Sequence, residues 1–116
     1  MEKNQEKNEA LVMLNGYLDR LIPGIDEMVN NFYEGNESFA LEKLTVICDG
    51  LQWSLRVLNV TKDVIELGDK VDSLVEQFNS IVEALENEDY ILVSDLFNYE
   101  VKDLLQTIKE EIEKFV

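Results

Sequence analysis

Histidine is absent from this 116-residue chain, which contains one cysteine, one proline and one tryptophan. Without histidine, the chain has neither a Ser-His-Asp nor a Cys-His arrangement for nucleophilic catalysis, and it lacks the Glu-x-x-His pairs that hold iron in di-iron helical bundles. The single cysteine, Cys48, cannot form an internal disulfide, and it lies among apolar residues, where a free thiol behaves as a small hydrophobe. We therefore expect a protein that is not an enzyme and that carries no cofactor.

Basic residues are also scarce, since 10 lysines and arginines stand against 25 acidic residues and give a net charge of −15. Such a chain repels nucleic acid and anionic membrane surfaces. No apolar run approaches the roughly 18 residues of a membrane span, and the polar segment 1–10 lacks the apolar stretch of a signal peptide. These absences predict a soluble, cytoplasmic protein with no nucleic-acid or membrane partner.

Four successive apolar runs are present, and their members are spaced three and four residues apart. This spacing places each run on one side of an α-helix, whereas strand alternation of period two is sustained nowhere. The runs are Leu11, Leu14, Leu18, Leu21, Ile25, Met28 and Phe32; Leu44, Cys48, Leu51, Leu55 and Leu58; Val64, Val71, Val75, Phe78, Val82 and Leu85, with Gly68 in one core position; and Val93, Phe97, Val101, Leu104, Ile108, Ile112 and Phe115. The pattern predicts an all-α four-helix bundle.

The domain organisation follows from these runs. We predict a flexible N-terminal tail at 1–8 and one bundle domain at 9–116, a length typical of a single domain. Helix 1 should extend from about Asn8 to Phe32 and be kinked at Pro23, which removes one backbone hydrogen bond. A break in which Pro23 begins a new helix is the alternative.

Short breaks separate the other helices. Gly35 suits the left-handed position after a helix, and Asn36, Thr61 and Asn87 suit the caps that precede the second, third and fourth helices. Connections this short favour antiparallel neighbours, so we predict an up-down-up-down topology with the first and third connections at one end of the bundle.

That end carries a high density of carboxylates. Five of them are candidate ligands for a hard cation such as calcium or magnesium, which prefers oxygen ligands. They are Glu34, Glu37, Glu86, Glu88 and Asp89. The alternative is that these acids stabilise helix N-termini and hydrate the surface, because their spacing matches no EF-hand loop. A divalent-cation-responsive protein is accordingly one functional hypothesis.

Helix 2 has a second apolar side. If its main run faces the core, Val46, Trp53, Val57 and Val60 lie toward the opposite side, which a surface helix normally keeps polar. Either a partner chain covers Trp53, or helix 4 packs off-centre against it. Tryptophan is enriched at binding hot spots, and exposed apolar stripes mark interaction sites. The leading hypothesis is therefore a non-enzymatic protein-interaction module that forms a homodimer through helix 2, or that binds another protein there.

Three segments carry a resemblance that covers roughly residues 17–105. They are Asp49-Gly50-Leu51-Gln52-Trp53, Glu86-Asn87-Glu88-Asp89-Tyr90 and Asp95-Leu96-Phe97-Asn98-Tyr99-Glu100. With them the chain resembles an uncharacterised family of small acidic helical proteins of Gram-positive bacteria, a resemblance that implies a helical bundle and transfers no functional residue. In size, acidity and helical hairpins it is also similar to flagellar export chaperones, which implies an alternative function as a chaperone that binds a partner helix.

Overall fold

The computed structural model describes residues 2–116, with side chains from Gln5 onward, and is helical without strands over this range. Its helices are α1 (Glu2–Tyr33), α2 (Glu37–Val60), α3 (Lys70–Glu86), α4 (Tyr90–Leu96) and α5 (Lys102–Phe115). A π-helical turn at Phe97–Val101 joins α4 to α5, and the joints keep α-helical dihedral angles, so that the three pieces form one continuous C-terminal segment. The prediction of an all-helical protein with four helical segments is confirmed.

The four segments pack as neighbours around one core. α1 contacts α2 and the C-terminal segment, and α3 contacts the same two; within the described residues, no Cα pair closer than 8 Å joins α1 to α3 or α2 to the C-terminal segment. All seven members of the first predicted run are buried. The long first helix therefore supplies one complete wall of the core, and α2 and the C-terminal segment lie on either side of it.

Side-chain contacts establish how α1 and the C-terminal segment run. Three of them recur one heptad apart along α1. They join Asp19 to Lys109 at 2.9 Å, Asp26 to Lys102 at 2.8 Å, and Tyr33 to Asp95 at 2.6 Å. Each step of seven residues forward along α1 corresponds to seven residues backward along the C-terminal segment, so the two elements are antiparallel.

The N-terminal half of α1 is longer than the sequence predicts. The helix begins at Glu2 and not near Asn8, so that residues 2–8, predicted to be a flexible tail, are helical in the structure. Lys7 there forms an ion pair with Asp63 at 2.8 Å. α1 continues through Pro23 without the break that the alternative required. Among residues 2–116, no helix has both the length and the apolar character needed to cross a membrane.

The third helix begins later than predicted. Residues 61–69 form turns, and Thr61 ends α2 by donating its hydroxyl to the Val57 carbonyl at 2.7 Å. Ile65 and Leu67 are buried in this connection and close that end of the core. Gly68, predicted to occupy a core position, is exposed and has φ +59, a conformation that glycine adopts without the steric cost of a side chain.

The predicted buried face of α3 is also wrong. Val75 and Val82 are exposed, whereas Leu74, Ile81 and Ala84 are buried. Apolar residues cover a wide arc of this helix, and the spacing pattern predicted a buried face that is displaced by one residue from the observed one. Val71, Phe78 and Leu85 are half-buried and lie along one edge of it, where they pack against the core.

A similar one-residue shift occurs in the C-terminal segment. Leu105 is buried and the predicted Leu104 is only half-buried, while Phe115 in the last turn is exposed. The shift is confined to this position, because Ile108 and Ile112 are buried as predicted and Leu105, four residues after Val101 and three before Ile108, lies on the same side of the helix.

Candidate functional site

The structure separates the four residues predicted as a contact on helix 2. Val46 and Val60 are 65% and 56% exposed, Trp53 is half-buried at the edge of the core, and Val57 is only 7% exposed. Val57 therefore belongs to the core, and its assignment to a partner contact is wrong. It lies beside Leu58 and three positions after Ser54, both buried, which places it on the margin of the buried face.

An aromatic pair joins α1 to α2 next to this surface. The ring of Tyr17 stands edge-on to that of Trp53, with 5.5 Å between centroids and an interplanar angle of 86°. The Arg20 guanidinium lies 5.8 Å from the centre of the Tyr17 ring. Trp53 is thus partly covered from α1, and the alternative in which helix 4 covers it is wrong, because among the described residues α2 makes no close approach to the C-terminal segment.

Gly50 permits the close approach of Tyr17. A β-carbon at this position would overlap the tyrosine hydroxyl and lie 2.7 Å from its Cζ. Tyr17 therefore crosses the surface of α2 where a side chain is missing, and the ring is held between Gly50 and Trp53. Two half-buried aromatic rings are fixed in this way on the outside of the α1–α2 pair.

Exposed apolar side chains surround these rings. Met13 of α1 is 64% exposed and lines, together with Tyr17, Val46, Gly50 and Trp53, one shallow hollow whose rim also includes Arg20 and Asp49. Val60 follows Trp53 by two helical turns and so lies on the same side of α2. We name this surface, formed by Met13, Tyr17, Val46, Trp53 and Val60, the α1/α2 face.

Sequence reasoning missed the contribution of α1 to this face. The signal was present, because residues 11–14 are Leu-Val-Met-Leu, and a helix that buries one side cannot bury four successive apolar residues. Leu11 and Leu14 are buried, while Val12 and Met13 are exposed. Because α1 has more apolar residues at this point than its buried side can hold, the sequence indicated an exposed apolar surface on α1 as well as on α2.

The charge distribution distinguishes the α1/α2 face from the rest of the protein. The two longest stretches of the chain that contain no aspartate or glutamate are residues 50–62 and residues 10–18. The Lys7–Asp63 ion pair and the Tyr17–Trp53 contact show that α1 and α2 run antiparallel in a register that places these two stretches side by side. The α1/α2 face therefore lies largely over the least acidic part of a chain of charge −15.

The predicted cation ligands are differently arranged. Glu34, Glu37, Glu86, Glu88 and Asp89 are all exposed. Within the described part of the chain, no three or more carboxylates, thiols or imidazoles come together in a way that could hold a metal ion. Asp89 instead accepts a hydrogen bond from the Leu92 backbone N–H at 3.1 Å, so this residue caps α4 and the predicted Asn87 does not.

Two side chains have perturbed acidity. Tyr33 donates a hydrogen bond to Asp95, and this bond, with partial desolvation and the neighbouring negative charge, raises the pKa of Tyr33 to about 12. Burial of Cys48, with a smaller contribution from the charge of Asp49, raises the pKa of its thiol to about 11. A thiol with a raised pKa is a poor nucleophile at neutral pH.

The chain belongs to a family described as "Domain of unknown function (DUF8042)", whose model matches residues 9–111. This membership agrees with the resemblance to an uncharacterised family. Comparisons with curated proteins and with solved structures find no match.

Proposed function

We propose that this member of the DUF8042 family is a non-enzymatic, cytoplasmic protein-interaction module that forms a homodimer through the α1/α2 face. The observation that carries the proposal is the coincidence of exposed apolar side chains with the two adjacent acid-free stretches. Met13 and Val60 supply exposed apolar area there, and Tyr17 and Trp53 supply half-buried aromatic rings. Val46 adds exposed apolar area one helical turn before the stretch 50–62.

Electrostatics favour this face over any other for contact between two copies. Each chain carries a charge of −15, so two copies repel one another, and the repulsion is least where carboxylates are farthest from the contact. At physiological ionic strength, charges more than about 8 Å away are largely screened. This face has Asp49 at the rim of its hollow but otherwise lies over acid-free stretches, so it brings apolar surfaces together with less electrostatic cost than the more acidic parts of the surface.

The aromatic pair gives the face the character of a binding hot spot. Tryptophan and tyrosine contribute most where they are held rigidly and excluded from water. The edge-on contact between Tyr17 and Trp53 fixes both rings before association, so little side-chain freedom is lost on binding. In a two-fold dimer the same residues from both copies meet, which doubles the apolar contact.

The finer architecture belongs to the same proposal. An up-down-up-down topology with a kink at Pro23 would leave α1 and α2 as one outward-facing pair. We further propose a bacterial, Gram-positive source, in line with the resemblance described above.

The test is the solution mass, measured by light scattering from micromolar to hundreds of micromolar concentration. The native chain is expected to show the mass of a dimer. Met13→Glu and Val46→Glu place a carboxylate on the face at exposed positions, where folding is unaffected, and each should weaken dimerisation at least tenfold. Ile91→Glu is the matched control, because Ile91 is 57% exposed on α4 and lies outside the face; it should leave the mass unchanged.

Other outcomes would replace this proposal. A native chain of monomeric mass throughout the range overturns it, as does an equal loss of dimer in Ile91→Glu. A monomer that captures an amphipathic helix on the α1/α2 face would favour the flagellar or export-type chaperone function instead. Saturable heat on calorimetric titration with calcium or magnesium, abolished by Glu88→Gln with Asp89→Asn, would favour the divalent-cation hypothesis.

A further inference from the structure

A second hollow lies farther along the groove between α1 and α2. It has a volume of about 230 Å³. Its lining residues are Tyr17, Arg20, Leu21, Gly24 and Glu27 from α1 and Lys43, Val46 and Ile47 from α2. The two helices pack closely at Gly50 and Tyr17. The hollow lies beyond this contact, toward the C-terminal end of α1 and the N-terminal end of α2.

The interior of this hollow is apolar. Leu21 and Ile47 are buried in the core and form the base, and Val46 and the Tyr17 ring form part of the wall. Gly24 adds no side chain, and a β-carbon at this position would meet no atom within 4 Å. Gly24 therefore leaves this side of the hollow open, although glycine inside a helix is less favourable than alanine.

Two cations lie at this hollow without carboxylate partners. Lys7, Lys102, Lys109 and Lys114 form ion pairs, whereas in the described part of the chain Arg20, Lys43, Arg56, Lys62 and Lys70 form none, and Arg20 and Lys43 are the two of these five that line the hollow. Each contacts an aromatic ring instead: Arg20 lies 5.8 Å from the Tyr17 centroid and Lys43 Nζ lies 5.4 Å from that of Phe39. Glu27 also lines the hollow and is paired with neither cation. The hollow thus combines an apolar interior with two cations that are free of ion pairs and one carboxylate.

We propose that this hollow binds a small amphiphilic carboxylate, such as a medium-chain or aryl-alkyl carboxylate. The apolar part would fill the cavity over Leu21 and Ile47, and the carboxylate would lie between Arg20 and Lys43. Charge-assisted hydrogen bonds from a guanidinium and an ammonium group suit a carboxylate. The volume sets the size, because about 230 Å³ equals roughly eight water molecules at ~30 Å³ each, below the ~300–1,000 Å³ of sites for drug-sized ligands.

This site does not depend on the proposed homodimer. It shares Tyr17 and Val46 with the α1/α2 face, and Arg20 borders the hollow of that face, but Lys43 and the space above Gly24 lie outside it. The titration is therefore run on the native chain and on Met13→Glu, which keeps the hollow intact and removes the dimer contact. If the native protein and Met13→Glu both bind the ligand, the site does not depend on dimer formation.

The experiment is a titration with octanoate, followed by calorimetry and by amide chemical-shift changes. Octanol and octylammonium have the same chain without a negative charge, and we expect each to bind at least tenfold more weakly. Arg20→Gln and Lys43→Gln should each weaken octanoate binding about fivefold to tenfold and leave octanol unaffected. Gly24→Leu, which fills the cavity, should abolish binding of both, and its far-ultraviolet circular dichroism reports whether the helices remain. Lys114→Gln is the matched charge control and should have no effect.

The outcomes decide the proposal. Octanoate binding that saturates, shifts the amides of residues 17–27 and 43–47, and is lost in Arg20→Gln supports it. Equal affinity for octanol, an equal loss in Lys114→Gln, or the absence of saturation overturns it. Sedimentation of the protein with phosphatidylglycerol vesicles, without binding of free octanoate, also overturns it, because the anion would then be a lipid headgroup at a surface and not a small molecule in the hollow.

Discussion

Tyr17 lies directly over Gly50, so that a β-carbon on Gly50 would overlap the tyrosine hydroxyl and approach Cζ to 2.7 Å. Gly50 is inside α2, where its backbone is helical and a positive φ is not required. The glycine therefore serves packing and not backbone conformation. By allowing the Tyr17 ring to cross α2, it sets the edge-on contact with Trp53 and the separation of α1 and α2 on which the α1/α2 face depends.

The first prediction concerns this contact. In Gly50→Ala the new methyl group should force the Tyr17 ring outward, with loss of its contact to Trp53 and of part of its burial. Overpacking of this kind costs about 1–3 kcal/mol. Alanine also favours the helix by up to about 1 kcal/mol relative to glycine, so the stability of Gly50→Ala contains both this gain and the cost of overpacking. The measurement is the free energy of unfolding in urea, compared with that of a second glycine variant.

Gly16→Ala is that matched variant. Gly16 lies within α1 and is exposed, and a β-carbon added to it would have no atom within 4 Å. We expect this substitution to stabilise the protein by about 0.5–1 kcal/mol, and Gly50→Ala to be less stable than Gly16→Ala by about 1–3 kcal/mol. Equal stability of the two variants would mean that Tyr17 moves aside without cost, and that Gly50 does not determine the packing of the two helices.

Part of the fold follows from sequence periodicity alone. The stripe of α1 was predictable residue by residue, because a long helix with one apolar side has one way to face the core. α3 was not, because its apolar residues span a wider arc and Val75 competes with Leu74 for the same position. The turns at 61–69 were missed for a related reason: Val64, Ile65 and Leu67 continue an apolar pattern although they lie outside a helix.

Some features of the candidate site were also predictable from the sequence, and others were not. An apolar excess on α2 was visible in Val46, Trp53 and Val60, and their exposure or partial exposure matches that expectation. The partner of Trp53 was not predictable, because the choice between α1 and another helix depends on the packing of whole elements. The absence of carboxylates in 10–18 and 50–62 could be read from the sequence, but its significance depends on the antiparallel register that places the two stretches together.

The second prediction tests which of the two neighbouring leucines, Leu104 or Leu105, belongs to the core. Leu105→Ala removes a fully buried side chain and should lower the free energy of unfolding by about 2–5 kcal/mol. Leu104→Ala removes a half-buried one and should cost clearly less. The stripe predicted from the sequence, which includes Leu104, would reverse the order. Urea unfolding of both variants decides between the two leucines, and a larger loss in Leu104→Ala would contradict the burial of Leu105 in the core.

The third prediction concerns the Tyr33–Asp95 hydrogen bond at 2.6 Å. With the pKa of Tyr33 raised from 10.0 to about 12, the folded state retains the phenol proton more tightly than the unfolded state. The stabilisation is therefore fully present below pH 10 and decreases as the pH rises toward 12. Tyr33 is considerably exposed to solvent, so the effect on stability should be small, and the pKa is the better observable.

An ultraviolet absorbance titration of the phenolate band measures the pKa of Tyr33. The chain has four tyrosines, so the titration of Tyr33 is the difference between the native chain and Tyr33→Phe. Asp95→Asn keeps an acceptor oxygen and removes the negative charge, and it should return the pKa of Tyr33 toward 10. A Tyr33 that titrates near 10 in the native chain would show that the hydrogen bond is absent in solution.

The last prediction concerns the reactivity of Cys48. Burial, followed by the charge of Asp49, raises the pKa of the thiol from 9.0 to about 11. Because only the thiolate reacts with iodoacetamide, a shift of this size lowers the reactive fraction near pH 8 by about 100-fold. The folded chain should therefore be alkylated about 100-fold more slowly than the same chain in concentrated urea. Asp49→Asn removes the smaller cause alone and should increase the rate only a few fold. A folded chain that reacts as fast as the unfolded one would show that Cys48 is accessible as a thiolate and is not shielded by burial.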